Sequence, residues 1–286
     1  MKKEVKLFST IVDNNIMNSN TRLILAIIAL ISMILAACGC NSSGGSVDPP
    51  NRDTYELNGA VVKDLNVGIN SDTTLIALKA FKDGNSLNNA DISFFGQDLT
   101  YSIIPNSASF GYIFPTNNQA MIGIGNYILD FADSTHYDDT INVMVVDTFR
   151  VSAYNPDSTT VNLNGQQVVI EWTSSANIEG YIVAVTPADS AYTGYGWSEY
   201  VTTQTTQITI PPDAFRTPNF PNNLITGTYY LYVYGFTGAP DSALSSTLLP
   251  VPLPSQLGDN IDHTNLSGNI GVVVITKRVP LEVTAG

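Results

Sequence analysis

A fifteen-residue apolar run whose one polar member is Ser32, Leu23–Ala37 (LILAIIALISMILAA), divides the chain into a part that does not fold with the rest and a part that must. The run is short of the roughly 20 residues a membrane-spanning helix needs. It follows a basic side chain, Arg22, and ends in small residues, which is the layout of a secretory signal. Both cysteines, Cys38 and Cys40, lie directly after it. The remaining residues are therefore without a disulfide and must rest on core burial alone. Removing the first 37 residues leaves 249, enough for two cores of ordinary domain size.

The run closes on Leu35-Ala36-Ala37-Cys38. This resembles the lipobox of bacterial lipoproteins, in which a Leu and two small residues precede the Cys that is acylated and becomes the first residue. Small side chains let an extended cleavage site enter a peptidase, and the thiol accepts the lipid. Each buried CH₂ contributes about 0.8 kcal/mol, so a stable anchor takes more than one acyl chain. The resemblance implies a signal peptide over 1–37, lipidation at Cys38, and a membrane as partner through the N-terminal lipid. Ala37-Cys38-Gly39 before Cys40 makes a poorer box. Gly39, rather than Asp, follows the lipidated position, which by the same resemblance implies sorting to the outer membrane or cell surface. Met17 is an alternative start to Met1, leaving Arg22 as the one basic residue before the run.

Residues 38–54 are Gly, Ser, Asn and Pro with almost no apolar content and form a flexible tether. Beyond it the chain is rich in Thr, Tyr, Val, Asn, Ser and Gly, and poor in the Lys, Arg and Glu of helix surfaces. Such a composition predicts an all-β protein. With the signal removed, 8 basic residues face 23 acidic ones, so the net charge falls from −13 to −15. A charge of that sign repels phosphate backbones, so no nucleic acid is expected as partner.

Period-two patterns run through 55–154. Ile92 and Phe94 alternate with Asp91 and Ser93; Tyr127, Leu129 and Phe131 alternate with Asn126, Ile128 and Asp130; Ile141, Val143 and Val145 share a face. Asp83-Gly84 and Asn88-Asn89 supply turns. The segment Lys82-Asp83-Gly84-Asn85-Ser86-Leu87-Asn88-Asn89-Ala90-Asp91-Ile92 and the later Gly125-Asn126-Tyr127 resemble Ig-like and transthyretin-like envelope domains. That resemblance implies an Ig-like sandwich over 55–154.

The second part, 155–286, resembles fibronectin type III domains. Val168, Ile170 and Trp172 look like the second strand with its core Trp, Gly180–Val185 like the third, Ile208 and Ile210 like the fifth, and Gly227–Val233 like the sixth. Tyr229 takes the place of the corner tyrosine. The fold expected is two tandem antiparallel β-sandwiches. Between Phe236 and the β run Val272–Ile275 lies a long stretch with Pro250, Pro252 and Pro254. Either Ser246–Val251 closes the sheet, or the tail run does and the stretch is an inserted loop. Prolines lack the ladder donor, which favours the tail.

The sequence predicts no enzyme. The two histidines sit in DSTHYDD (His136) and DNIDH (His263), away from any Gly-framed serine. The calcium-loop frame and the His and Cys of zinc sites are absent, so neither metal nor cofactor is expected. The more suggestive feature is aromatic: Tyr192, Tyr195, Trp197 and Tyr200 crowd SAYTGYGWSEY, and with Tyr229 inward, Tyr230, Tyr232 and Tyr234 are expected to face outward. Exposed rings stack on sugars or cover protein interfaces. The expectation is a non-catalytic cell-envelope binding or interaction protein engaging carbohydrate or an envelope protein. The alternatives are a structural spacer or assembly subunit, and an accessory part of a secreted hydrolase system.

Overall fold

A computed structural model describes residues 53–65, 73–114, 122–134, 137–155, 160–162, 167–188, 196–202, 204–217, 220–224, 226–254 and 257–284; 160–162, 216–217 and 220–224 are described in backbone alone. The expected signal peptide, Cys38 as the expected lipidation site and the start of the expected tether lie outside the described residues.

The chain opens with two ten-residue strands, β1 (Tyr55–Asp64) and β2 (Thr73–Lys82), paired antiparallel along their whole length. The Asp83-Gly84 pair anticipated as a turn has φ of 51° and 76° and folds β3 (Asn85–Ser86) back on β2. There follow β4 (Asp91–Phe94), β5 (Gln97–Asp98), β6 (Thr100–Ile103), β7 (Phe110–Ile113), β8 (Gly125–Asp133) and β9 (Tyr137–Val145). Strands β5-β4-β8-β9 make a four-stranded sheet, while β1, β2, β6 and β7 belong to a larger one. The alternating residues Ile92, Phe94, Leu129, Phe131, Ile141 and Val143 point from the small sheet into a core completed by Leu57, Val61 and Leu78. Ile128, on the opposite face of β8, is exposed.

The second half builds a three-stranded sheet from β10 (Val151–Asn155), β12 (Val168–Trp172) and β15 (Gln207–Ile210). It continues with β11 (Thr160–Asn162), β13 (Gly180–Pro187), β14 (Trp197–Thr202), the hairpin β16 (Arg216–Thr217) and β17 (Phe220–Leu224), the twelve-residue β18 (Gly227–Gly238), β19 (Ile261–Asp262), β20 (Leu266–Ile275) and β21 (Val279–Thr284). Trp172, Tyr181, Phe215, Tyr229 and Val233 fill its core. The Tyr229 hydroxyl donates to the Phe215 carbonyl at 3.2 Å, the backbone tie expected of a corner tyrosine.

The protein is all-β, and each half sets its own small sheet against a large one. The large sheet is shared: its twelve strands include a path from β6 and β7 through β2 and β1 to β20, β18 and β21. Expected antiparallel throughout, it departs from that in two places. Strand β20 pairs parallel with β1 over ten residues, and β11 pairs parallel with β21. No hairpin links these partners, so nothing forces opposite directions. The tail run therefore does close the second half's sheet against β18, and on its other edge it joins the first half. The boundary drawn at residue 154 falls inside β10, which pairs with β12. Residues Arg52–Gly286 form one compact unit.

The stretch expected as a loop contains a helix, Ser242–Leu248, capped by Asp241, whose carboxylate accepts the Leu244 N–H at 2.7 Å. Its Leu244 and Leu248, with Leu249, Val251 and Leu253, cover the outer face of the large sheet over Ala60, Val62, Ile182, Tyr234, Val273 and Ile275. This explains why Val272–Ile275 is apolar at every position. Val272 and Val274 face the two sandwich cores, while Val273 and Ile275 face the helical cover.

Candidate functional site

The aromatic surface expected from the sequence is in large part enclosed. Tyr192 and Tyr195 lie outside the described residues. Trp197 and Tyr200 stand on β14, an edge strand whose pairing is with β13. Both are half-buried: Trp197 packs on the second core, and Tyr200 meets Phe236 edge-on at 5.8 Å. The Ser198 hydroxyl donates to the Pro252 carbonyl at 3.1 Å, tying this edge to the covering segment.

Tyr230, Tyr232 and Tyr234 do lie on the face of β18 opposite Tyr229, but the expectation that they form an outward row open to solvent is corrected. Tyr232 is 5 % exposed and Tyr234 fully buried. The reason is the helix and the 249–253 segment laid over that face, which the sequence presents only as a proline-interrupted loop. Tyr234 is clamped there: its hydroxyl donates to the Val251 carbonyl at 3.3 Å and accepts the Val251 N–H at 3.1 Å. Burial pushes its phenol well above the ordinary range. Burial also raises Tyr232, partly offset by a hydrogen bond to the Arg278 guanidinium. Tyr230 is half-buried, with the Arg278 guanidinium 4.2 Å from its ring centroid.

Of the two histidines, His136 lies outside the described residues. The His263 Nδ1 is 2.7 Å from Asp139 Oδ2, to which the Tyr137 hydroxyl also donates at 2.8 Å. Burial alone would raise Asp139, but the bonds from His263, Tyr137 and the Thr140 N–H outweigh it and hold the carboxyl below the usual range. The cluster joins β9 to the chain between β19 and β20. Among the described residues no group of three or more His, Cys, Asp or Glu is arranged to hold a metal ion.

Sequence reasoning missed a cavity of about 600 Å³ at a discontinuity in the large sheet. Along β18 the register with the closing strand shifts by one residue, from Tyr234↔Ile275 to Leu231↔Val279. The residues between form a bulge, which redirects side chains locally. Strand β1 ends beside it, at the Asp64↔Ile275 pair. The bulge is anchored from β18: Thr276 N–H donates to the Val233 carbonyl at 3.0 Å, and its hydroxyl accepts the Val233 N–H at 3.1 Å. Lys277 and Arg278 project from this bulge, and Arg150 projects from the segment joining β9 to β10; all three line the cavity. Leu65, Phe149 and Val279 supply its apolar wall. The signal available in the sequence was scarcity, since three of the eight basic residues beyond position 37 meet here. No motif joins residues so far apart.

No family model matches the chain, and no curated protein matches it. Among solved structures, the crystal structure of the chicken CNTN1 FN1–FN3 domains is similar at 11 % identity, covering 79 % of this chain and 67 % of that one, with a TM-score of 0.30.

Proposed function

We propose that the chain is a lipid-anchored, non-catalytic interaction module of the cell envelope, held at the outer membrane or cell surface through Cys38 and presenting one rigid body to its partner. The observation that carries the reading is the shared sheet. Because β20 is bonded to β1 on one edge and to β18 on the other, the two sandwiches have no hinge of sequence between them. Such a body suits spacing or docking at a surface. Enclosure of Tyr232 and Tyr234 favours an envelope protein as partner over carbohydrate, since stacking on sugar needs open ring faces.

Address and partner are tested separately. In a bacterial host fed labelled palmitate, the wild-type chain is expected to take up label and sediment with the envelope, and Cys38→Ala to do neither. An unlabelled wild type overturns the anchor. A glycan array probed with the full chain is expected to give no signal that Trp197→Ala or Tyr200→Ala removes. A signal that either substitution abolishes, with the fold intact, moves the reading to carbohydrate binding through the β14 edge.

A further inference from the structure

We propose that the cavity at the β20–β21 bulge binds a small organic oxyanion, a carboxylate or phosphate carried on a compact body, through Arg150 and Lys277, with Arg278 beside them among the lining residues. This extends the interaction-module reading to a ligand of stated chemistry and is independent of the lipid anchor.

Three observations converge. The first is charge placement. In a chain of net −15 beyond the signal, three cations line one concavity, and among the described lining residues there is no carboxylate. Asp64, the neighbour of the lining residue Leu65, is 9 % exposed and lies on the Tyr232 side of the sheet, where it and Arg278 both act on that phenol. A cleft with one sign of charge and low-dielectric walls focuses its field on a ligand of the opposite sign.

The second is preorganisation. Arg150 is fixed in the backbone by Thr173, whose hydroxyl accepts the Arg150 N–H at 3.2 Å and whose N–H donates to the Arg150 carbonyl at 2.9 Å. The bulge bearing Lys277 and Arg278 is pinned to Val233, and the Arg278 guanidinium rests over the Tyr230 ring. The backbone that carries Arg150 and Lys277 is thus set before binding, which removes part of the ordering cost. Guanidinium groups also meet carboxylate and phosphate oxygens in a matched fork.

The third is size. A volume of about 600 Å³ holds a molecule of drug or sugar-acid dimensions, with Leu65, Phe149 and Val279 against its apolar part. A polyanion reaching beyond the cavity is disfavoured by the net negative charge of the rest of the chain. A ligand with one or two charges lies within the local positive field alone.

The test is calorimetric titration of the full chain in mild detergent with glucuronate, with inorganic phosphate, and with glucose as the neutral control. At low salt at least one of the two acids is expected to bind with a Kd of about 1 mM or tighter, and glucose not to bind. Which acid binds separates a carboxylate ligand from a phosphate one. The Arg150→Gln/Lys277→Gln double variant is expected to weaken that binding by about tenfold or more, as is a rise in salt to about 0.5 M. Both residues are exposed, so the melting temperature should stay at the wild-type value; Lys277→Gln alone serves as the milder second variant. Neither acid binding below about 10 mM, glucose binding as tightly as the acids, or unchanged binding in the double variant each overturns the proposal.

Discussion

The buried ammonium of Lys63 donates to the carbonyl oxygen of Val146 at 3.1 Å, from a side chain only 2 % exposed. One end of that bond is near the close of β1, in the shared sheet. The other lies just past β9, where the chain leaves the first small sheet for the second. A charged group in this position gives the crossing between the two halves a directional constraint that apolar contacts lack.

Lys63→Met keeps the length of the stem and removes the donor. It is expected to leave the Val146 carbonyl unsatisfied and to cost about 1–3 kcal/mol, the usual penalty for a buried polar group that loses its partner. Urea unfolding followed by tryptophan fluorescence measures it. An unchanged midpoint would show that the bond contributes nothing net.

Tyr234→Phe deletes one oxygen and orphans both the N–H and the carbonyl of Val251. The expected loss is again about 1–3 kcal/mol. Hydrogen exchange distinguishes this variant from a general weakening: protection should fall first in 242–253, the segment held by the clamp, before the strands of the large sheet.

Gly268 has φ of +129°, and a Cβ there would strike the Leu57 carbonyl oxygen on the neighbouring parallel strand. Gly268→Ala thus combines a backbone conformation that L-residues resist with a collision at the β1–β20 seam. A loss of more than about 1 kcal/mol is expected, read from the thermal midpoint. Gly227 shares the φ of +129°, but a Cβ there would meet nothing within 4 Å, so Gly227→Ala is the control for strain without collision.

The Asp139–His263 contact sets an acid limit. Asp139 titrates below its ordinary range in the folded protein, so its contribution is present above the unfolded carboxylate value of about 4 and is lost as pH falls through the lower folded value. Urea midpoints of wild type and Asp139→Asn should differ at neutral pH and converge as the pH falls through the lowered folded value. A gap that persists in acid would assign the effect to packing.

Much of this architecture is written locally. The alternation over β8 and β9, the Asp83-Gly84 turn, and the core positions of Trp172 and Tyr229 each follow from residues a few places apart, where periodicity carries the signal. What was not legible depends on distant segments. Tyr232 and Tyr234 alternate with Leu231 and Val233, and only the arrival of Leu244 and Leu248 on their side decides that they are enclosed. The parallel seam is equally silent, because nothing in Tyr55–Asp64 names Leu266–Ile275 as its neighbour. The cavity cations fail for the same reason: Arg150 meets Lys277 and Arg278 through a bulge whose register no local pattern specifies.

The seam also fixes an order of events. Asn269 N–H donates to Asn58 Oδ1 across 211 residues of chain, and every bond of the β1–β20 ladder spans a comparable separation. Contacts this distant bring a large loop-closure entropy before any reward, and slow the final step of folding. A chain emerging from its N-terminus makes β1 and β2 early, yet β1 keeps a bare edge until residues 266–275 arrive. The last long strand to be synthesised completes the first, so a chain halted before residue 266 carries an open apolar ladder that chaperones and proteases can read as unfinished.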